Sequence, residues 1–240
     1  MAAGAALIAS SVIAYLIHYV IFRDAYHIFI YAVGDLAFLP IEVLIVTLII
    51  EKLLSIRETR ERLEKLNMVI GVFFSEAGTP LLGAFSGYDR NIDRIRNDLM
   101  LSAQETEMQF AAVAERIVKY EYDIDASRIN FEALKAFLMP KRELIVRLLE
   151  NPTLLEHESF TDLLLAVSHL AEELAHRDSF AGLPPADIAH LKLDIRRAYT
   201  AVLKEWIAYM KHMKENYPYL FSLAIRLNPF DRNASAIVKE

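Results

Sequence analysis

The sequence predicts an all-α protein: an N-terminal two-helix transmembrane hairpin followed by a cytoplasmic helical bundle with long amphipathic helices. Three observations predict it. Two apolar runs near the N-terminus are each long enough to cross a bilayer, apolar residues elsewhere recur at helical spacing, and no segment shows the two-residue period of a strand. The implied parts are a hairpin at 1–50, a juxtamembrane helix and apolar Gly-containing segment at 51–90, a bundle at 91–227 and a tail at 228–240.

Composition sets the bounds. The 240 residues are 55% hydrophobic and 24% charged, where a soluble domain is roughly 45–50% apolar. Mean hydropathy is +0.26, so part of the apolar surplus belongs somewhere other than a core. There is no cysteine, which excludes disulfides, thiolate metal sites and thiol nucleophiles. A net charge of −6 with a pI near 5.7 argues against nucleic acid as a partner.

The surplus has an address. Ala5–Phe22 carries no charge, and its polar interruptions are Ser10, Ser11 and His18. After Arg23–His27, Ile28–Ile50 is apolar except for Asp35 and Glu42. The spans therefore fall at about 5–22 and 28–50. No basic residue precedes the first run and a second follows at once, unlike a cleaved signal peptide. Lys52, Arg57, Arg60, Arg62 and Lys65 follow the second span, while the loop between spans holds Arg23. By the positive-inside tendency both termini are cytoplasmic, in a multi-pass protein of the cell's inner (plasma) membrane. Tyr19, Phe22, Tyr26 and Phe29 suit an aromatic belt near the loop.

Ionisable groups in a span are costly and become candidates for function. Asp35 and Glu42 are seven apart, and seven helical steps return to within about 20° of the start. They share a face. Pro40 between them deprives the Leu36 carbonyl of its helical partner, which predicts a kink. In the first span Ala2, Ala6, Ser10, Ala14 and His18 form a small-residue stripe suited to close helix approach. A folded hairpin would bring His18 toward Asp35 and Ser10 toward Glu42. The acids then either bond spans or subunits together, line a cation or proton route in an oligomer, or, for Asp35, sit at the outer interface.

The second span is expected to run on without a cap into Glu51–Leu66, supported by the i,i+4 pairs Glu58–Arg62 and Glu61–Lys65. Asn67–Gly87 is apolar, with Glu76 its one charge and four of the chain's seven glycines. It suits burial against the domain or a membrane-surface helix. From Ile92 to Tyr120 the spacing of Ile92, Ile95, Leu99, Ala103, Thr106, Phe110, Val113 and Ile117 predicts one long helix. Further helices are expected at 129–138 (capped by Ser127), 142–150 after Pro140, 158–177, 186–216 and 220–227. Asp178–Pro185 reads as a linker, and Asn228-Pro229 opens a mobile tail.

Catalytic motifs are missing. Neither GxGxxG nor GxxxxGK[ST] nor HExxH occurs, and Gly83–Gly87 misses GxSxG because its serine falls one place late. His169, Glu173 and His176 share one helix face and are weak metal candidates; the second Glu-x-x-His that a carboxylate-bridged di-metal bundle needs is not there. With Asp162 they point away from the apolar face of Phe160, Leu163, Val167, Leu170 and Leu174, as a solvated or subunit-contact stripe would. His190 and Asp194, one turn apart, could pair on a surface. Glu156–Glu158 reads as a charge cluster at a helix start.

The residues thus describe a membrane-anchored, self-associating helical scaffold or interaction protein without catalytic activity and without a cofactor. Its expected partners are the lipid bilayer, further copies of itself and a cytoplasmic protein. The alternative is a homo-oligomeric cation or proton channel lined by the acidic face of the second span. A membrane-bound metalloenzyme ranks third.

Overall fold

The computed structural model describes residues 2–155 and 157–238, side chains at 2, 3, 58–65, 153 and 155 excepted. The Ala2 end of the stripe, both Glu–basic pairs of the juxtamembrane helix and Glu156 lie outside the described side chains. The protein is all-α. Among the described residues, extended pairing is confined to one isolated bridge between Asp89 and Ile124. The chain divides into two compact units, Met1–Glu61 and Arg62–Glu240.

The first unit contains α1 (Ala2–Phe22) and the beginning of α2 (Ala25–Phe73). The turn between them is made by Arg23, at a left-handed φ of 50°, and by Asp24. The Asp24 carboxylate accepts from the backbone N–H groups of Tyr26 and His27 at 3.1 Å each, satisfying donors that a helix start leaves open. Helix α2 continues unbroken through Pro40. From Gly4 to Arg57 every described residue is exposed except His18 and Ile28. Gly4–Phe22, Ala25–Arg57 and Leu66–Tyr88 are each long and apolar enough to cross a membrane, and 44% of the third is buried in protein.

The second unit has its own core. After Phe73 the helix widens into one π-turn, Phe74–Gly78, and narrows again into α3 (Thr79–Tyr88). This apolar stretch enters the domain: Phe73, Phe74, Ala77, Leu81, Leu82 and Phe85 are all buried. Short α4 (Arg96–Leu99) precedes α5 (Glu107–Lys119). The single long helix expected from Ile92 is therefore two. Helix α4 stops at Leu99, and Thr106 starts α5 afresh, its side chain and that of Gln109 forming a reciprocal capping box.

Next come α6 (Phe131–Leu138), α7 (Arg142–Leu149) and α8 (Pro152–Leu155). Asn130, not Ser127, caps α6, accepting from Ala133 N at 2.9 Å. Helices α9 (Glu158–Ala175) and α10 (Pro185–Asn216) form the central hairpin, and α11 (Pro218–Arg226) follows. Helix α10 packs on α9, α5, α3 and α11, and its Tyr199, Val202, Leu203, Trp206 and Met210 are buried.

The tail expected to be mobile is tied down at its start. Phe230 is buried with its ring against Trp206, centroids 5.3 Å apart. Asn228 donates from Nδ2 to the Leu99 carbonyl at 2.7 Å, and Arg96 donates to the Phe230 carbonyl at 2.8 Å. The loops are held by carboxylates. Buried Asp89 accepts from Tyr120 Oη at 2.6 Å and from Asn91 N at 2.9 Å, and burial, then that bond, pushes the Tyr120 hydroxyl far above its ordinary range. Asp125 accepts from Arg90 Nε at 2.9 Å and from Ser127 N at 3.0 Å, and the Arg90 bond comes first in holding its carboxyl well below the usual range.

Three outcomes follow from this packing. A Cβ on Gly78 would lie 2.5 Å from Phe74 Cδ1 and 2.8 Å from Phe73 Cε1, both on buried rings. Gly78→Ala should lower stability by about 1–3 kcal/mol. Gly83→Ala meets nothing within 4 Å and should gain about 0.5–1 kcal/mol in thermal melts. Asp125 has a depressed pKa in the fold, so its contribution is present above the unfolded value, about 3.9, and is lost as pH falls through the folded one. Acid titration of Asp125→Asn should therefore show a smaller loss of stability below about pH 4 than the parent chain.

Candidate functional site

Helices α9 and α10 run antiparallel, joined by the linker that Gly182 turns at a φ of +71°. Each helix contributes an i,i+4 pair, so two side chains one turn apart project to the same side. His169 and Glu173 come from α9, His190 and Asp194 from α10. Antiparallel register sets His169 opposite Asp194 and Glu173 opposite His190. One ligand atom from each of the four lies within 4.8 Å of every other.

The distances within the cluster are short and even. His190 Nε2 is 3.3 Å from Asp194 Oδ2 and 3.5 Å from Glu173 Oε1. His169 Nε2 is 3.7 Å from Asp194 Oδ2 and 3.9 Å from Glu173 Oε1. The imidazoles form the open side, with side chains 45% and 46% exposed, whereas Asp194 is 1% exposed and Glu173 26%. Buried Asp194 Oδ2 has no hydrogen-bond partner among the described residues.

An arginine holds the outer oxygen of each carboxylate. Arg197 donates to Asp194 Oδ1 at 2.7 Å, and Arg177 donates to Glu173 Oε2 at 2.8 Å. Arg177 also makes a two-pronged pair with Asp187, at 2.9 Å and 2.6 Å, across the linker. Its bond, ahead of all other causes, keeps the Glu173 carboxyl below its ordinary range. Each carboxylate is thus anchored on one oxygen and turns the other toward both imidazoles. Two nitrogens and two oxygens so placed could hold a divalent metal ion.

The structure divides the three α9 candidates. His169 and Glu173 join the cluster, while exposed His176 turns its ring to the Glu172 carbonyl, 2.8 Å away. Glu173 is half-buried beside α10 instead of lying on an open stripe. His190 and Asp194 were visible as one surface pair; what spacing within a single helix does not carry is the register that sets that pair against α9.

The intramembrane candidates are placed differently. Ser10, Asp35 and Glu42 are exposed, and neither acid has a hydrogen bond or ion pair among the described residues. His18 packs its ring on Phe22, centroids 4.7 Å apart, instead of meeting Asp35.

Two family models match the chain. One, described as "Uncharacterized protein MJ1433, C-terminal helical domain", covers residues 62–226, and "MJ1433, N-terminal helical domain" covers 1–54. A curated relative, "Uncharacterized protein MJ1433" of Methanocaldococcus jannaschii, is 45% identical over 234 residues, which is 98% of this chain and 94% of the relative. The chain belongs to the MJ1433 family. The C-terminal domain of that family begins at the residue where the second compact unit begins. No solved structure matches the chain.

Loss of Arg177 should be felt on both sides of the linker. Hydrogen bonds to charged groups contribute about 1.5–3 kcal/mol each when shielded, and the Arg177 side chain is largely covered. Arg177→Ala should lower the thermal midpoint by several degrees, about 1–3 kcal/mol. Arg232→Ala, whose charge pair is exposed at 3.3 Å, should change it by under about 1 kcal/mol.

Proposed function

We propose that the chain is a membrane-anchored helical protein, without catalytic activity of its own, that self-associates through its N-terminal spans and presents its helical domain as an interaction platform. The observation that carries this reading is the first unit: long apolar helices exposed along their length, bearing two acids that have no partner among the described residues. Lipid supplies the apolar cover. In hydrocarbon, Asp35 and Glu42 need hydrogen-bond partners, and the same face of a second copy, with Ser10 and His18 within its reach, offers them.

The rest of the reading follows the flanking charge. Basic residues after the second span orient a two-span hairpin with both termini in the cytoplasm, at the cell's inner membrane. The helical domain then faces the cytoplasm, where a protein partner is available to it. The acidic face also favours a second reading, a cation or proton route enclosed by several copies.

Detergent-solubilised chain should be oligomeric by size exclusion with light scattering. Asp35→Asn with Glu42→Gln keeps hydrogen-bonding side chains and should keep the oligomer. Asp35→Leu with Glu42→Leu should weaken it about tenfold, the effect of about 1.4 kcal/mol of lost interhelical bonding. A wild-type chain monomeric at every concentration overturns self-association. Cation flux into liposomes that the Asn/Gln pair abolishes would replace the scaffold by the channel.

A further inference from the structure

We propose that His169, Glu173, His190 and Asp194 form a mononuclear divalent transition-metal site of the zinc class that clasps α9 to α10. Three independent features converge on it.

The first is spacing. For metal–ligand bonds of about 2.0–2.1 Å, the edges of a tetrahedron of donors are about 3.3–3.4 Å. The four imidazole–carboxylate separations of 3.3, 3.5, 3.7 and 3.9 Å lie within about 0.6 Å of that edge, and with the whole set inside 4.8 Å the two like pairs close by up to about 1.4 Å around an ion. Half-exposed imidazoles on helix surfaces can make that adjustment by rotation about their own side-chain bonds.

The second is donor chemistry. Two imidazole nitrogens with two carboxylate oxygens suit borderline first-row ions, whereas calcium and magnesium take oxygen cages. The two carboxylates set negative charge on either side of the ion, each also paired with an arginine. In a chain without cysteine, such an ion takes nitrogen and oxygen donors of this kind.

The third is the outer layer. Ligating carboxylates in metal sites are themselves hydrogen-bonded, which fixes their orientation. Arg197 and Arg177 do this for Asp194 and Glu173, leaving the inner oxygens turned to the imidazoles. The buried Asp194 Oδ2 is costly to leave without a partner, and a bound cation satisfies it. Protonated imidazoles would be the competing partner, and metal analysis separates the two.

Four protein donors make a closed site. A closed tetrahedral shell is the mark of a structural ion, whereas catalytic zinc keeps a position for water. The metal's work is then to hold the hairpin on which α3, α5 and α11 pack. It binds the folded chain and should raise its thermal midpoint in proportion to occupancy.

The test uses full-length, untagged protein in detergent, stripped with chelator and titrated with zinc chloride. Calorimetry and elemental analysis should give one zinc per chain, and zinc should raise the thermal midpoint. His190→Gln and His169→Gln should each weaken zinc binding by at least about tenfold, a loss at or above that produced by disturbing a supporting residue, and remove the thermal shift. His176→Gln should bind as the parent does. A parent chain that binds no zinc overturns the site, as does unchanged affinity in folded His190→Gln and His169→Gln.

Discussion

Uncovered apolar surface is the constraint on which the rest of the molecule depends. Among the described residues between Gly4 and Arg57, every Leu, Ile, Val, Phe and Tyr side chain except that of Ile28 is exposed. Burying one such side chain contributes about 1.5–3 kcal/mol, so the unit as a whole leaves tens of kcal/mol unrealised in water. A folded domain is stable by only about 5–15 kcal/mol. On the proposed reading a nonaqueous neighbour covers that surface, since no adjustment of the helical domain is large enough to offset such exposure. Helices suit that neighbour because they satisfy their own backbone donors and acceptors.

The second unit solves the opposite problem. From Leu66 on, the described residues carry mixed charge on the outside and an aromatic core within, where Phe73 meets Phe160 at 5.6 Å and Phe74 stacks on Tyr209 at 4.8 Å. The π-turn at Phe74–Gly78 lets both adjacent phenylalanines face inward, which a regular α-turn, setting neighbours about 100° apart, does less readily. Gly78 makes room for those rings. The apolar stretch that looked long enough for a third span is thereby taken up as core.

Much of this was legible in the residues. The apolar stripes of α9 and α10 and the linker between them are where helical period and Pro-Gly punctuation put them. The break inside 92–120 was also legible, since Thr106-Glu107-Met108-Gln109 has the spacing of a capping box; periodicity alone masked it because Leu99 and Phe110 are both core. Tethering of the tail was not legible. It rests on Asn228 reaching the Leu99 carbonyl across 129 positions, and nothing local signals that. The metal-type cluster lies between these cases: each i,i+4 pair could be read from one helix, but the register of the hairpin joins them. In the MJ1433 family the two helical domains are also matched separately, as the division of labour between surplus and core suggests.

The absence of cysteine allows a direct test of the central claim, that the first unit lies in lipid and the second in water. Single cysteines at Val43 and at exposed Val118, spin-labelled in liposome-reconstituted chain, report collisions with oxygen, which concentrates in hydrocarbon, and with a water-soluble nickel chelate. The label at 43 should meet oxygen and be shielded from nickel, and the label at 118 should show the reverse. Free access of nickel to position 43 would contradict it.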